Sequence, residues 1–122
     1  MTAGSKRPIG TLAQRVTARR SLLERGVERL VVICRALPDV SAVYVFGSYA
    51  RDEVRVRSDL DALVVRETPL RRLERDLDIR SAFDVPVGLD LIVVTPREFT
   101  EALPTTGIGA TILREGRRVY AA

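Results

Sequence analysis

The sequence predicts an α+β fold, α/β-like in its alternation, with a small β-sheet flanked by helices. Three observations predict it. "AVYVF", "LDALVV" and "VGLDLIVV" are short apolar runs rich in β-branched residues, helical patterns precede, separate and follow them, and the connections are short. The chain has 122 residues, enough for one core and too few for two, so a single domain over 1–122 is expected. Hydrophobic residues are 46% and charged residues 30%, the balance of a folded chain and not of a disordered one.

Each element has a local reason. Thr11 followed by Gln14 has the pattern of a capping box, and Leu12, Val16, Leu23, Val27, Leu30, Val31 and Cys34 fall near helical spacing. A long helix is therefore expected over about 11–37, loosened at Gly26 and ended before Pro38. "AVYVF" is bounded by Pro38-Asp39 and Gly47-Ser48 and reads as a buried strand; "LDALVV" is the second. Thr68-Pro69 reads as an N-cap with proline at the first helical position, followed by an apolar stripe of Leu70, Leu73 and Leu77 whose neighbouring Arg and Asp residues form a solvated face. "VGLDLIVV" is the third strand and closes a central region of about 42–94. Thr95-Pro96 with Glu98 starts a short helix, and "GATILREGRRVYAA" reads as a helical turn stopped at Gly116 and then a short strand, so about 95–122 form a closing helical segment and strand.

Composition narrows the chemistry. The 20 Lys+Arg against 16 Asp+Glu give a formal +4, mostly as Arg, which favours anionic ligands or partners. The charges are interspersed and aromatic residues are only 5%, so no basic block or stacking platform for nucleic acid is present, and no direct nucleic-acid binding is expected. Without a histidine, the usual zinc ligand, general base and Ser-His-Asp triad are all absent, and chemistry falls to carboxylates. Cys34 has no partner for a disulfide and reads as a buried, reduced thiol. The opening "MTAGSKRPIG" lacks an apolar core of signal-peptide length and no run approaches a membrane span, so no membrane association and a cytoplasmic protein are expected.

One stretch carries the chemistry. Asp59 and Asp61 are two residues apart at the start of a strand, so both project from one face of the sheet. Such a pair is costly unless a cation neutralises it, and a hard, oxygen-seeking ion such as Mg²⁺ suits carboxylates together with substrate phosphates. Gly47-Ser48 ends the preceding strand, where a backbone without a side chain and a hydroxyl donor can approach phosphate oxygens. Ten residues separate Ser48 from Asp59, enough for a short helix and a loop that bring the two together. Asp90 is a third carboxylate in an apolar strand, where a charge needs a partner or a metal. Each feature also has a plainer reading. Gly-Ser is a common turn, Ser58-Asp59 an ordinary cap, Asp90 a residue for an edge-strand ion pair, and Arg51, Arg55 and Arg57 solvated loop charges.

Taken together, Gly47-Ser48, the ten-residue spacing, Asp59-x-Asp61 and a later-strand Asp90 resemble the signature of the DNA polymerase beta-like nucleotidyltransferase superfamily. The short chain and its closing "ILREGRRVY" resemble the minimal nucleotidyltransferase group, which includes the antitoxins paired with HEPN-domain toxins. The resemblance implies a nucleotidyltransferase fold with a small mixed sheet. It implies that Asp59, Asp61 and Asp90 are catalytic and ligate two divalent ions, Mg²⁺ or Mn²⁺, and that Gly47, Ser48 and Arg51 bind the nucleotide. ATP would be the substrate, attacked at its α-phosphate with pyrophosphate leaving, and a HEPN-type toxin would be the partner that supplies the acceptor hydroxyl. Asp52 departs from the pattern, since many relatives have glycine after "GSxAR". Two other activities are compatible with the same residues: a non-catalytic antitoxin that neutralises its partner by contact, and a small-molecule nucleotidyltransferase of the aminoglycoside-modifying type.

Overall fold

The computed structural model describes residues 10–122, so most of the opening segment read for a leader lies outside the described residues. Helix α1 runs Leu12–Arg35 from an N-cap at Thr11, where the capping box is formed in both directions: Thr11 Oγ1 accepts from Gln14 N, and Gln14 Oε1 accepts from Thr11 N. It is not loosened at Gly26. That residue is buried in a continuous helix, and a Cβ there would lie 3.2 Å from Leu60 and 3.4 Å from Phe83, so glycine allows the helix to sit close against the sheet.

Four strands follow, β1 (Val40–Phe46), β2 (Leu60–Arg66), β3 (Leu89–Val94) and β4 (Arg117–Ala121), in the spatial order β3-β2-β1-β4. β1 is antiparallel to β2 and to β4, whereas β2 and β3 are parallel, so the sheet is mixed. Between them lie the single turn α2 (Gly47–Ala50), α3 (Leu77–Ala82) and α4 (Gly107–Glu115). β2 is central and reads as a continuous apolar run because both faces are covered. On one face, Leu30 and Ile33 of α1 and Ile79 of α3 pack on Val43, Ala62, Val64, Leu91 and Val93. On the other, Leu103 and Ile112 pack on Phe46, Leu63, Val65 and Val94. Cys34 is buried in the first core, and burial pushes its thiol up to about 11. Among the described residues no helix is long and apolar enough to cross a membrane.

Two further expectations are corrected. No helix starts at Thr68-Pro69. Thr68 Oγ1 instead accepts from Leu70 N in a tight side-chain turn, only a 3₁₀ turn forms at Arg72–Glu74, and the helix begins at Leu77. The leucine stripe is not a core stripe, since Leu70, Leu73 and Leu77 are 43%, 88% and 58% exposed. What this segment buries is Ile79 and Arg75, which donates to the Leu70 carbonyl and pairs with Glu98 at 2.7 Å, while the exposed Asp78 forks with the buried Arg66 at 2.8 Å on both oxygens. These pairs tie the connection to the sheet, and each arginine holds its carboxyl partner below the ordinary range. The second correction concerns Asp90. β3 is an edge strand and Asp90 is exposed, so it avoids the full cost of a charge in a core.

The closing segment forms as expected, with small changes. Thr95 and Glu98 form a second reciprocal capping box, but the turn that follows widens to a π-helical one over Glu98–Ala102. α4 stops at Gly116 and β4 completes the sheet.

Candidate active site

The antiparallel register places Phe46 beside Asp61, and the parallel register places Asp61 beside Asp90. Gly47, directly after Phe46, therefore lies over the Asp61 carboxyl. Gly47 has φ +74, and a Cβ would stand 2.0 Å from Asp61 Oδ2, so only glycine fits there on two counts. A second glycine does the same for the other member of the pair. A Cβ on Gly88 would lie 2.3 Å from Asp59 Oδ1. Gly88 carries little signal in the sequence beyond its place two residues before Asp90 in "VGLD".

Electrostatics follow from this geometry. Asp61 is half-buried, lies within hydrogen-bonding reach of Asp90 and close to Asp59, and has its pKa raised to about 6, first by burial and then by the two neighbouring carboxylates. Among the described residues, none of Asp59, Asp61 and Asp90 has an ion-pair partner. As the side chains stand, no three acidic groups among the described residues converge on a single coordination point. The fit to a divalent ion is therefore chemical: oxygen donors only, none of them taken up in an ion pair among the described residues, and a repulsion that such an ion relieves.

Ser48 donates to Ser58 Oγ at 3.0 Å, and Ser58 Oγ also accepts from Arg55 N at 2.8 Å. The two serines bordering the ten-residue spacing are thus bridged, and Ser58 is more than the simple cap that its position before Asp59 invited. They line a cleft of about 400 Å³ with Arg51, Glu53, Arg55 and Arg57. Arg51 reaches it already engaged, at 2.6 Å to Glu53 and 3.4 Å to Glu115 at the end of α4. Asp52 adopts φ +59, the backbone region that favours glycine, and pairs with Arg20 on α1. A cleft of about 350 Å³ beside α1, lined by Arg25, Arg29 and Asp84 among others, contains none of these groups.

The chain matches the family described as "Nucleotidyltransferase domain" over residues 27–118. No curated protein matches it significantly in sequence. Among solved structures it is similar to a Sulfolobus solfataricus protein assigned as a nucleotidyltransferase, at 18% identity and TM-score 0.63, with 93% of each chain covered. It is also similar to a chain from a toxin-antitoxin crystallised with AMP-PNP, at 20% identity and TM-score 0.53, covering 79% of this chain and 73% of that one. A third likeness is to a chain of an MntA-HpeT toxin-antitoxin mutant, at 19% identity and TM-score 0.50 over the same shares. At these identities the likeness shows the fold.

Proposed function

The chain belongs to the nucleotidyltransferase domain family, and from that premise we propose that it transfers AMP from ATP to a hydroxyl of a partner protein, acting as the antitoxin of a HEPN-type toxin. The observation that carries the reading is the gathering of Asp59, Asp61 and Asp90 at one end of β2 and β3, under Gly47 and next to the Ser48–Ser58 cleft. The partner is taken from the fold likeness to the toxin-antitoxin structures, one of them crystallised with AMP-PNP.

Asp59, Asp61 and Asp90 would hold divalent magnesium, which when bound supplies charge to the attacking hydroxyl and to the leaving oxygens. The chain's own residues do the rest. Ser48 and the backbone at Gly47 orient the phosphates, and the absence of a side chain at Gly47 lets them approach Asp61. The acceptor oxygen forms a bond to the α-phosphorus as the bond from that phosphorus to the α,β-bridging oxygen breaks, and pyrophosphate leaves with the electron pair. Asp90, exposed on the edge strand, is placed to orient the acceptor hydroxyl and take its proton, so that no histidine is needed.

The test is pyrophosphate release. Mixing the chain with Mg²⁺, ATP and the partner is expected to release it, and Asp61→Asn or chelation of the metal to abolish the release. Release that survives both would exclude the carboxylate site.

A further inference from the structure

Arg55 and Arg57 sit differently from Arg51. Arg51 is shared between Glu53 and Glu115, whereas Arg55 and Arg57 form no ion pair among the described residues, and both line the cleft beside Ser48 and Ser58. Glu53 is the one acid in that lining and is already bound by Arg51. The cleft therefore keeps uncompensated positive charge.

The loop that carries these two arginines is built rather than loose. Val54 is 7% exposed and packs in the small core with Leu23, Val45 and Leu60. Arg19 Nε on α1 donates to the Val56 carbonyl at 2.8 Å. Arg55 and Ser58 are bound twice, Arg55 N to Ser58 Oγ at 2.8 Å and Ser58 N to the Arg55 carbonyl at 3.1 Å. Anchors at 54, 55, 56 and 58 fix the backbone between them, so Arg55 and Arg57 extend from set positions, and Ser58 joins this turn to Ser48. Solvated surface arginines need no such support.

We propose that Arg55 and Arg57 bind the β- and γ-phosphates, the pyrophosphate that leaves, with Ser58 as the positioning residue of their turn. The assignment rests on the nucleotidyltransferase reading above. Asp59 directly follows Ser58, so the reacting α-phosphate lies at the carboxylate end, and the two guanidinium groups receive the charge that remains outside. Planar N–H forks on two arginines match two phosphate groups.

Calorimetric titration with Mg·ATP and with AMP tests it. Arg55→Gln and Arg57→Gln should each weaken Mg·ATP binding roughly fivefold and the double variant roughly 25-fold, as expected for partly exposed charge-assisted contacts, with AMP binding unchanged. Arg71→Gln, outside the cleft, serves as the charge control. Should the double variant bind Mg·ATP within about twofold of Arg71→Gln, a difference of under half a kcal/mol, the assignment fails while the nucleotide site stands. Absence of Mg·ATP binding in the unmodified chain would remove both. Thermal melts of the variants check that the exposed substitutions leave the fold intact.

Discussion

Asp61 and Asp90 are register partners across the parallel β2–β3 ladder, close enough for their carboxyls to share a hydrogen bond, and Gly47 lies against Asp61. Two acids on adjacent strands repel when both are ionised, and most of what can be tested about this chain follows from how that repulsion is relieved.

The first consequence is a pH dependence. Asp61 titrates near 3.8 when unperturbed and at about 6 in the fold, so the folded chain holds this proton more tightly than the unfolded one. Its contribution is most favourable at low pH and declines as pH rises from the unfolded value through about 6. Asp78 and Glu98, lowered by their arginines, act in the opposite sense, so the clean observable is a difference. In a chelating buffer, Asp61→Asn should melt close to the unmodified chain in acid and clearly above it at neutral pH. With excess Mg²⁺ the gain should shrink. A gap independent of pH would mean that Asp61 is not strained.

Gly47→Ala should impair both fold and site. A non-glycine residue in the left-handed region costs about 1–2 kcal/mol, and the new Cβ would stand on the Asp61 carboxyl at 2.0 Å. Denaturant melts should show the stability loss, and titration with Mg·ATP should show binding lost in protein that is still folded. Gly88→Ala should produce the same binding defect through Asp59, at a φ that is not left-handed and so with less strain.

Ser48→Ala separates a phosphate contact from a turn. Loss of a hydroxyl that donates to a phosphate oxygen should cost on the order of 1.5–3 kcal/mol, roughly tenfold to a hundredfold in kcat/KM, with little change in Tm. Ser58→Ala should lower kcat/KM as well, because it frees both Ser48 and the Arg55 amide. Unchanged kinetics in both variants would mean that the phosphates lie elsewhere.

Arg66 gives the structural counterpart. It is 7% exposed and forks on Asp78 while pairing with Asp39 at 3.0 Å, and the other Asp39 oxygen is already buried without a partner. Arg66→Met should destabilise the chain by about 3 kcal/mol, the low end for a broken buried pair because Asp78 retains access to water. Urea unfolding measures this, and kcat per folded molecule should not change.

What was legible in the sequence was what local chemistry fixes. Both capping boxes form between residues three apart, and the β-branched runs became strands, because those signals need no distant partner. Thr68-Pro69 carried an equally plausible helix signal, but Thr68 Oγ1 took the Leu70 amide and the segment was organised by Arg75 reaching Glu98, 23 residues away. The same limit applies to the site. Asp59-x-Asp61 could be seen as a pair from strand alternation, and Asp90 stood out as a charge in an apolar run. Their adjacency depends on the β2–β3 register, and the engagement of Arg51 by Glu115 spans 64 residues. Ser58 and Gly88 acquire their roles only once Ser48 and Asp59 have been placed.

The most direct measurement is the intact mass of the proposed HEPN-type partner after incubation with this chain, ATP and Mg²⁺. The partner is expected to gain the mass of one or more AMP groups, and the double variant Asp59→Asn, Asp61→Asn to add none. A partner that is neutralised without any gain in mass, equally well by the double variant, would contradict nucleotide transfer and leave binding by contact as the activity.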